Sequence, residues 1–170
     1  GGQHFVLLET PHVAILTGSP FNPYSVGELW HLVDFELGLR AALINAEDVG
    51  GVDLRRYNIV IIPEGPSDHA PWMDKLPAIK SWVESGGTLL IDAAGGSTAF
   101  AEAAEGELSK IFKGDAAVGE LETPLKQSHD VYKLSTKITE VAYRNFAPET
   151  LGKNLKVPRI RGMKVKDRIA

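Results

Sequence analysis

The sequence predicts an α/β fold, a three-layer sandwich built on a mostly parallel sheet. Short apolar runs occur at residues 13–16, 59–62 and 88–91, each bounded by turn-forming residues. Strands buried on both faces require such runs. Between them lie segments whose apolar residues recur at helical spacing. Strand and helix alternate along the chain, which argues for parallel strands joined by right-handed crossovers that cover both faces of the sheet.

Residues 12–17 form the first expected strand, and residues 5–8 a short edge strand ahead of it. Gly18 to Tyr24 supplies Gly and Pro breakers at the strand's carboxyl end. A helix is expected over 25–37. Ser25 with Glu28 three residues on reads as a capping box, and Val26, Leu29, Trp30, Val33 and Leu37 form the buried stripe, closed by Gly38. Residues 41–44 read as a second strand, 54–57 as one helical turn, and 58–62 as a third, central strand. Pro63-Glu64-Gly65-Pro66 ends it.

The next helix covers 76–85, with Pro77 tolerated in its first turn and Leu76, Ile79 and Val83 on one face. Gly86 and Gly87 end that helix, and 87–91 is expected as a second central strand. A small-residue turn, Asp92 to Gly96, then leads into a helix over 97–112 with Ser97 as its N-cap. That helix should bury Phe100, Ala104, Leu108 and Ile111 and stop at Gly114. A short strand is expected at 117–121. Periodicity is poor from 122 to 154. Residues 157–165 read as a strand that Lys166-Asp167 turns back into 168–170.

With 170 residues the chain is long enough for one domain with one core. It begins Gly-Gly and ends inside a strand-like segment, so a fragment of a larger protein is expected. Apolar content is 44% and charged content 24%, and no apolar run approaches a membrane span. Cysteine is absent, which excludes disulfides, thiolate nucleophiles and Cys-ligated metals. Residues 1–148 carry 11 basic against 20 acidic side chains, net −9, and residues 149–170 carry 7 against 2, net +5. The basic end interleaves charge with apolar residues, as in Arg159-Ile160-Arg161, and reads as a strand with one solvated face. Neither nucleic acid nor membrane is expected as a partner.

Residues 11 to about 112 resemble the class I glutamine amidotransferase-like fold, a flavodoxin-like sandwich. They are most similar to the domain appended to some M14-type zinc carboxypeptidases. The resemblance lies in Val-Ala-Ile-Leu-Thr-Gly at 13–18, Tyr-Ser-Val-Gly-Glu-Leu-Trp-His-Leu-Val-Asp at 24–34, Val-Asp-Leu-Arg-Arg-Tyr-Asn-Ile-Val-Ile-Ile-Pro-Glu-Gly at 52–65 and Gly-Gly-Thr-Leu-Leu at 86–90. The later part, in Ile111-Phe112, His129-Asp-Val-Tyr132 and Pro158-Arg-Ile-Arg-Gly162, also resembles a family of unknown function, DUF4159. The first resemblance implies a Cys nucleophile at the turn after strand 88–91, with a later His and an acidic residue. Here Ala93 or Ala94 stands at that position. Neither can attack a carbonyl. The resemblance therefore implies a non-catalytic accessory domain with no cofactor, whose partners are other domains of a secreted or periplasmic carboxypeptidase-like parent.

Ligands of open α/β sheets collect outside the carboxyl ends of the strands. The candidate pocket there comprises Ser19, Tyr24, Glu28, Glu64, Gly65, Asp68, His69, Asp92, Ala93, Ala94, Gly95 and Ser97. It could take a small molecule or saccharide, or support hydrolysis around Glu28, Glu64, Asp68, His69 and Asp92. Asp68-His69 and His129-Asp130 pair an imidazole with a carboxylate in loop-like sequence, where an exposed loop His is the default. Gly95-Gly96-Ser97 could hold an anion but lacks the Gly spacing and Lys of a phosphate loop. Glu28, His31 and Asp34 share a helix face, which reads as solvated in preference to metal-binding. Trp30 reads as core.

Overall fold

The computed structural model describes residues 10–66, 76–93 and 97–112, together with short strands at 141–142, 154–155, 164–165 and 168–169. The chain divides into two compact units, Gly1–Ala104 and Glu105–Ala170. In the first, β1 (Val13–Thr17), β2 (Ala41–Asn45), β3 (Ile59–Ile62) and β4 (Thr88–Ile91) form an all-parallel sheet in the order β2-β1-β3-β4. This is the strand order of flavodoxin-like sheets. The expected strands at 58–62 and 87–91 are both present. However, among the described strands β4 pairs only with β3, so the central pair is β1 and β3. Burial agrees: Ala14, Ile15, Leu16 and Ile62 are fully buried, whereas Leu90 of β4 is 45% exposed.

The chain steps from β1 to β2 in one direction and from β3 to β4 in the other, so right-handed crossovers place the intervening helices on opposite faces. On one face Val13, Ile15 and Ile61 pack with Val33, and Leu29 and Leu39 join them. The alternate residues Ala14, Leu16, Val60 and Ile62 fill the other face, served by α2 (Leu76–Ser85) with its buried Ile79, Trp82 and Val83. The Trp82 indole N–H donates to the Tyr57 carbonyl at 3.0 Å, fixing α2 to the segment that enters β3. Trp82 stands three residues after Ile79 and so lies on the same buried face of α2, which the expected stripe of Leu76, Ile79 and Val83 left out. The Leu76 side chain lies outside the described residues.

The first helix departs from expectation at both ends. α1 runs Pro23–Trp30, and its N-cap is Asn22, whose side chain accepts from the Tyr24 N–H at 3.0 Å. Ser25 is inside the helix and buried, because Pro23, with fixed φ and no N–H to satisfy, already occupies the first helical position. From His31 to Glu36 the backbone is π-helical, and the Leu37 N–H reaches back five residues to the Leu32 carbonyl at 3.0 Å. The wider turn shifts the phase of the apolar stripe. Val33 stays buried, while Leu37 is 60% exposed and Trp30 42% exposed, against the core positions expected of both.

Elsewhere the local reading holds. Gly38 has φ +65° and closes the helix. Residues Leu54–Arg56 form a single 3-10 turn capped by Asp53. A further 3-10 turn, Ala46–Gly51, follows β2, and the Asn45 side chain caps it. At the end of α2, the Gly86 N–H bonds to the Val83 carbonyl and the Gly87 N–H to the Trp82 carbonyl. With Gly86 at φ +125°, this is a Schellman closure.

α3 (Thr98–Ile111) begins at Ser97, whose Oγ accepts from the Phe100 N–H at 3.4 Å. Phe100 and Ala104 are buried as expected; Leu108 and Ile111 are only half-buried. In the second unit β5 (Val141–Ala142) pairs antiparallel with β6 (Asn154–Leu155), and β7 (Lys164–Val165) with β8 (Arg168–Ile169). The latter pair is the hairpin expected from the Lys166-Asp167 turn. The strands expected at 5–8 and 117–121, and the stop at Gly114, fall outside the described residues.

Candidate functional site: the carboxyl ends of the strands

The loop after β1 is stitched together by its own backbone. The Phe21 N–H donates to the Gly18 carbonyl at 2.9 Å, and the Asn22 N–H donates to the Glu64 carbonyl at 3.0 Å, joining the loops that follow β1 and β3. The Ser19–Pro20 peptide is cis. In sheets of this strand order a crevice opens at the β1/β3 switch point. Here Phe21 (6% exposed) and Phe100 (1% exposed) occupy it, their rings lying against Gly65, where a Cβ would stand 3.4 Å from one and 3.8 Å from the other. Gly65 is thus a packing residue beneath two aromatic rings.

A phosphate is poorly served by this corner. Pro23 has no N–H, the Tyr24 N–H is taken by the Asn22 side chain, and the Val26 N–H donates to the Asn22 carbonyl at 3.1 Å. Pro23 and Tyr24 thus leave the first two helical positions with no N–H to offer an anion at this helix N-terminus.

On the outer side of α1, between that helix and β2, lies a cleft of about 450 Å³. Phe21, Pro23, Val26, Trp30 and Leu43 supply its apolar walls, and Thr17, Gly18 and Ser19 close one end with two hydroxyls. Gly27 completes the α1 side. Among the described residues, no charged side chain lines it. Leu43 is half exposed and Trp30 nearly so, which leaves its mouth open to solvent.

Of the eight described residues among the twelve expected in one pocket, only Ser19 lines this cleft. Tyr24 is 83% exposed and Glu28 lies on the exposed face of α1, neither contributing to its walls. Glu64 and Gly65 tie the β3 loop to the β1 loop. Asp92 extends the β4 ladder, its N–H donating to the Ile62 carbonyl at 2.9 Å, and Ala93 follows it half-buried. Ser97 serves as the α3 cap. Asp68, His69, Ala94 and Gly95 lie outside the described residues, as do Gly96, His129 and Asp130.

The metal alternative fares no better at the helix face. Asp34 accepts the Ala41 N–H at 3.2 Å, anchoring the entry to β2, while His31 lies against Phe35 with ring centroids 4.9 Å apart and 3.9 Å from Glu36. No group of three His, Cys, Asp or Glu side chains able to hold a metal occurs among the described residues. Among the same residues, no helix is long and apolar enough to cross a membrane.

No family model, curated protein or solved structure matches the chain. The site must therefore be read from its own chemistry. The sequence did not single out this cleft, because Trp30 and Leu43 look like core positions in a helix stripe and an apolar strand. One signal was available. Gly27 interrupts an otherwise well-formed helix, and an unforced glycine there costs helix stability.

Proposed function

We propose that the chain is a non-catalytic, glutamine amidotransferase-like accessory domain that positions, regulates or supplies a binding surface to a larger secreted or periplasmic protein of zinc carboxypeptidase type. The observation that carries this reading is the corner after β4. Ala93 or Ala94 stands where the resembled enzymes hold a nucleophile, and the next hydroxyl along the chain, Ser97, caps α3. Acyl transfer needs a nucleophile, a base that activates it and preorganised donors for the oxyanion. The described corner offers backbone groups and one carboxylate. The cleft beside α1 lacks titratable side chains altogether and is suited to holding a group, not to transforming it.

The test is turnover by the intact 170-residue chain. We expect neither ammonia release from glutamine nor hydrolysis of a panel of activated esters above the uncatalysed rate. Turnover that Asp92→Ala or His69→Ala abolishes would replace this reading with the hydrolase alternative.

A further inference from the structure

We infer that the cleft between α1 and β2 is a binding site for a small neutral molecule with an apolar ring and one hydrogen-bonding end. This deepens the reading of the chain as a binding domain and rests on it. At about 450 Å³ the cleft falls within the range of small-ligand pockets, roughly 300–1,000 Å³. Its composition is selective. A charged ligand would lose its hydration against Phe21, Val26, Trp30 and Leu43 with no opposite charge to offset the loss. A saccharide would bring many hydroxyls to a wall that offers two, Thr17 and Ser19, at one end. A ring with a single neutral polar group matches both: the ring stacks on Trp30 and Leu43, and the polar group meets the hydroxyls.

Gly27 is the independent observation. It sits inside α1, where alanine would favour the helix, and nothing lies within 4 Å of the position a Cβ would take. Packing does not demand a glycine here. Gly27 is exposed and borders the cleft, so a side chain there would stand at its rim, and a large one would reach over its mouth. Gly18 at the polar end differs: it has φ +82°, and a Cβ there would come within 2.8 Å of the Asn45 carboxamide oxygen, so its backbone accounts for it.

The experiment is a titration of the full 170-residue chain with 2-phenylethanol, phenylacetate, 2-phenylethylammonium and glucose, followed by backbone amide chemical shifts. The expected result is saturable binding of 2-phenylethanol with Kd on the order of 1 mM, as suits a ligand of this size. The largest shifts should fall at Gly18, Val26, Gly27 and Leu43. The two charged analogues should bind at least about fivefold more weakly, and glucose should not saturate. Gly27→Leu should weaken 2-phenylethanol at least about tenfold while the amide spectrum stays folded, and Gly27→Ala, which cannot harm the helix, should weaken it measurably. Ser19→Ala should weaken the alcohol several-fold and leave ethylbenzene unchanged. Absence of saturable shifts at these residues, equal binding of the charged analogues, preference for glucose, or indifference to Gly27→Leu would each overturn the inference. Such a failure leaves the non-catalytic reading standing, whereas enzymatic turnover would sink that reading without touching the cleft.

Discussion

Gly87 shows how one missing methyl can be structural. A Cβ there would stand 2.1 Å from the Trp82 ring, inside any tolerated contact, and the ring is held by its hydrogen bond to Tyr57. Neither partner can yield cheaply. Gly87→Ala should therefore destabilise the chain by about 1–3 kcal/mol, read as a lower denaturant midpoint, and Gly27→Ala should not. Asp53 illustrates a different residue-scale effect. Its hydrogen bonds from the Arg55 side chain, at 2.7 and 3.0 Å, hold its carboxyl below the ordinary aspartate range. The same pairing raises the Arg55 pKa. A depressed carboxylate pKa adds stability above the unfolded value, and that stability is lost as pH falls through the folded one. The pair is fully exposed, so the effect belongs to titration more than to global stability. Carboxyl NMR titration should place Asp53 below 3.8, and Arg55→Ala should move it upward.

At the scale of elements, the four strands of the parallel sheet and most helix ends were legible because their determinants are local, whereas β5 and β6 were not foreseen. The runs 13–16 and 59–62 are apolar without interruption and became the two central strands, while Gly86-Gly87 announced a helix end that the Schellman hydrogen bonds realise. The first helix was misread where two local signals competed. Ser25 and Glu28 have the spacing of a capping box, yet Asn22 followed by Pro23 is the stronger start, since proline excludes a longer helix upstream and asparagine supplies the acceptor. Asn22→Ala should cost about 0.5–2 kcal/mol through the lost cap. Ser25→Ala should leave the helix start unchanged, which amide exchange at Tyr24 and Val26 would register. The π-turn at His31–Glu36 left no signal in the apolar spacing, which continues through Val33 to Leu37. That turn shifts the phase of the residues after it and carries Leu37 out of the core, while Trp30, which precedes it, is part-exposed at a wall of the cleft.

For the whole molecule, the strand order and the crossover rule decide where chemistry could sit. The carboxyl ends of β1 and β3 form the switch point, and the chain fills it with Phe21 and Phe100 behind Gly65. The described cleft lies beside α1 on the β2 side, and neither Asp92 nor Ala93 of the corner where β4 meets α3 lines it. From Asp92 to Gly96 the sequence predicts a corner without a nucleophile. It could not show that Phe21 and Phe100 both lie against Gly65, because the two rings come from segments almost eighty residues apart. The account's central claim is that the β4–α3 corner has no catalytic machinery awaiting a nucleophile. Ala93→Cys tests it directly through the pH dependence of iodoacetamide alkylation of the introduced thiol, the only one in the chain. An unassisted thiol should give a profile with its midpoint in the ordinary range, about 8–9, and a midpoint below about 6, the mark of a thiolate paired with an imidazolium, would contradict the account.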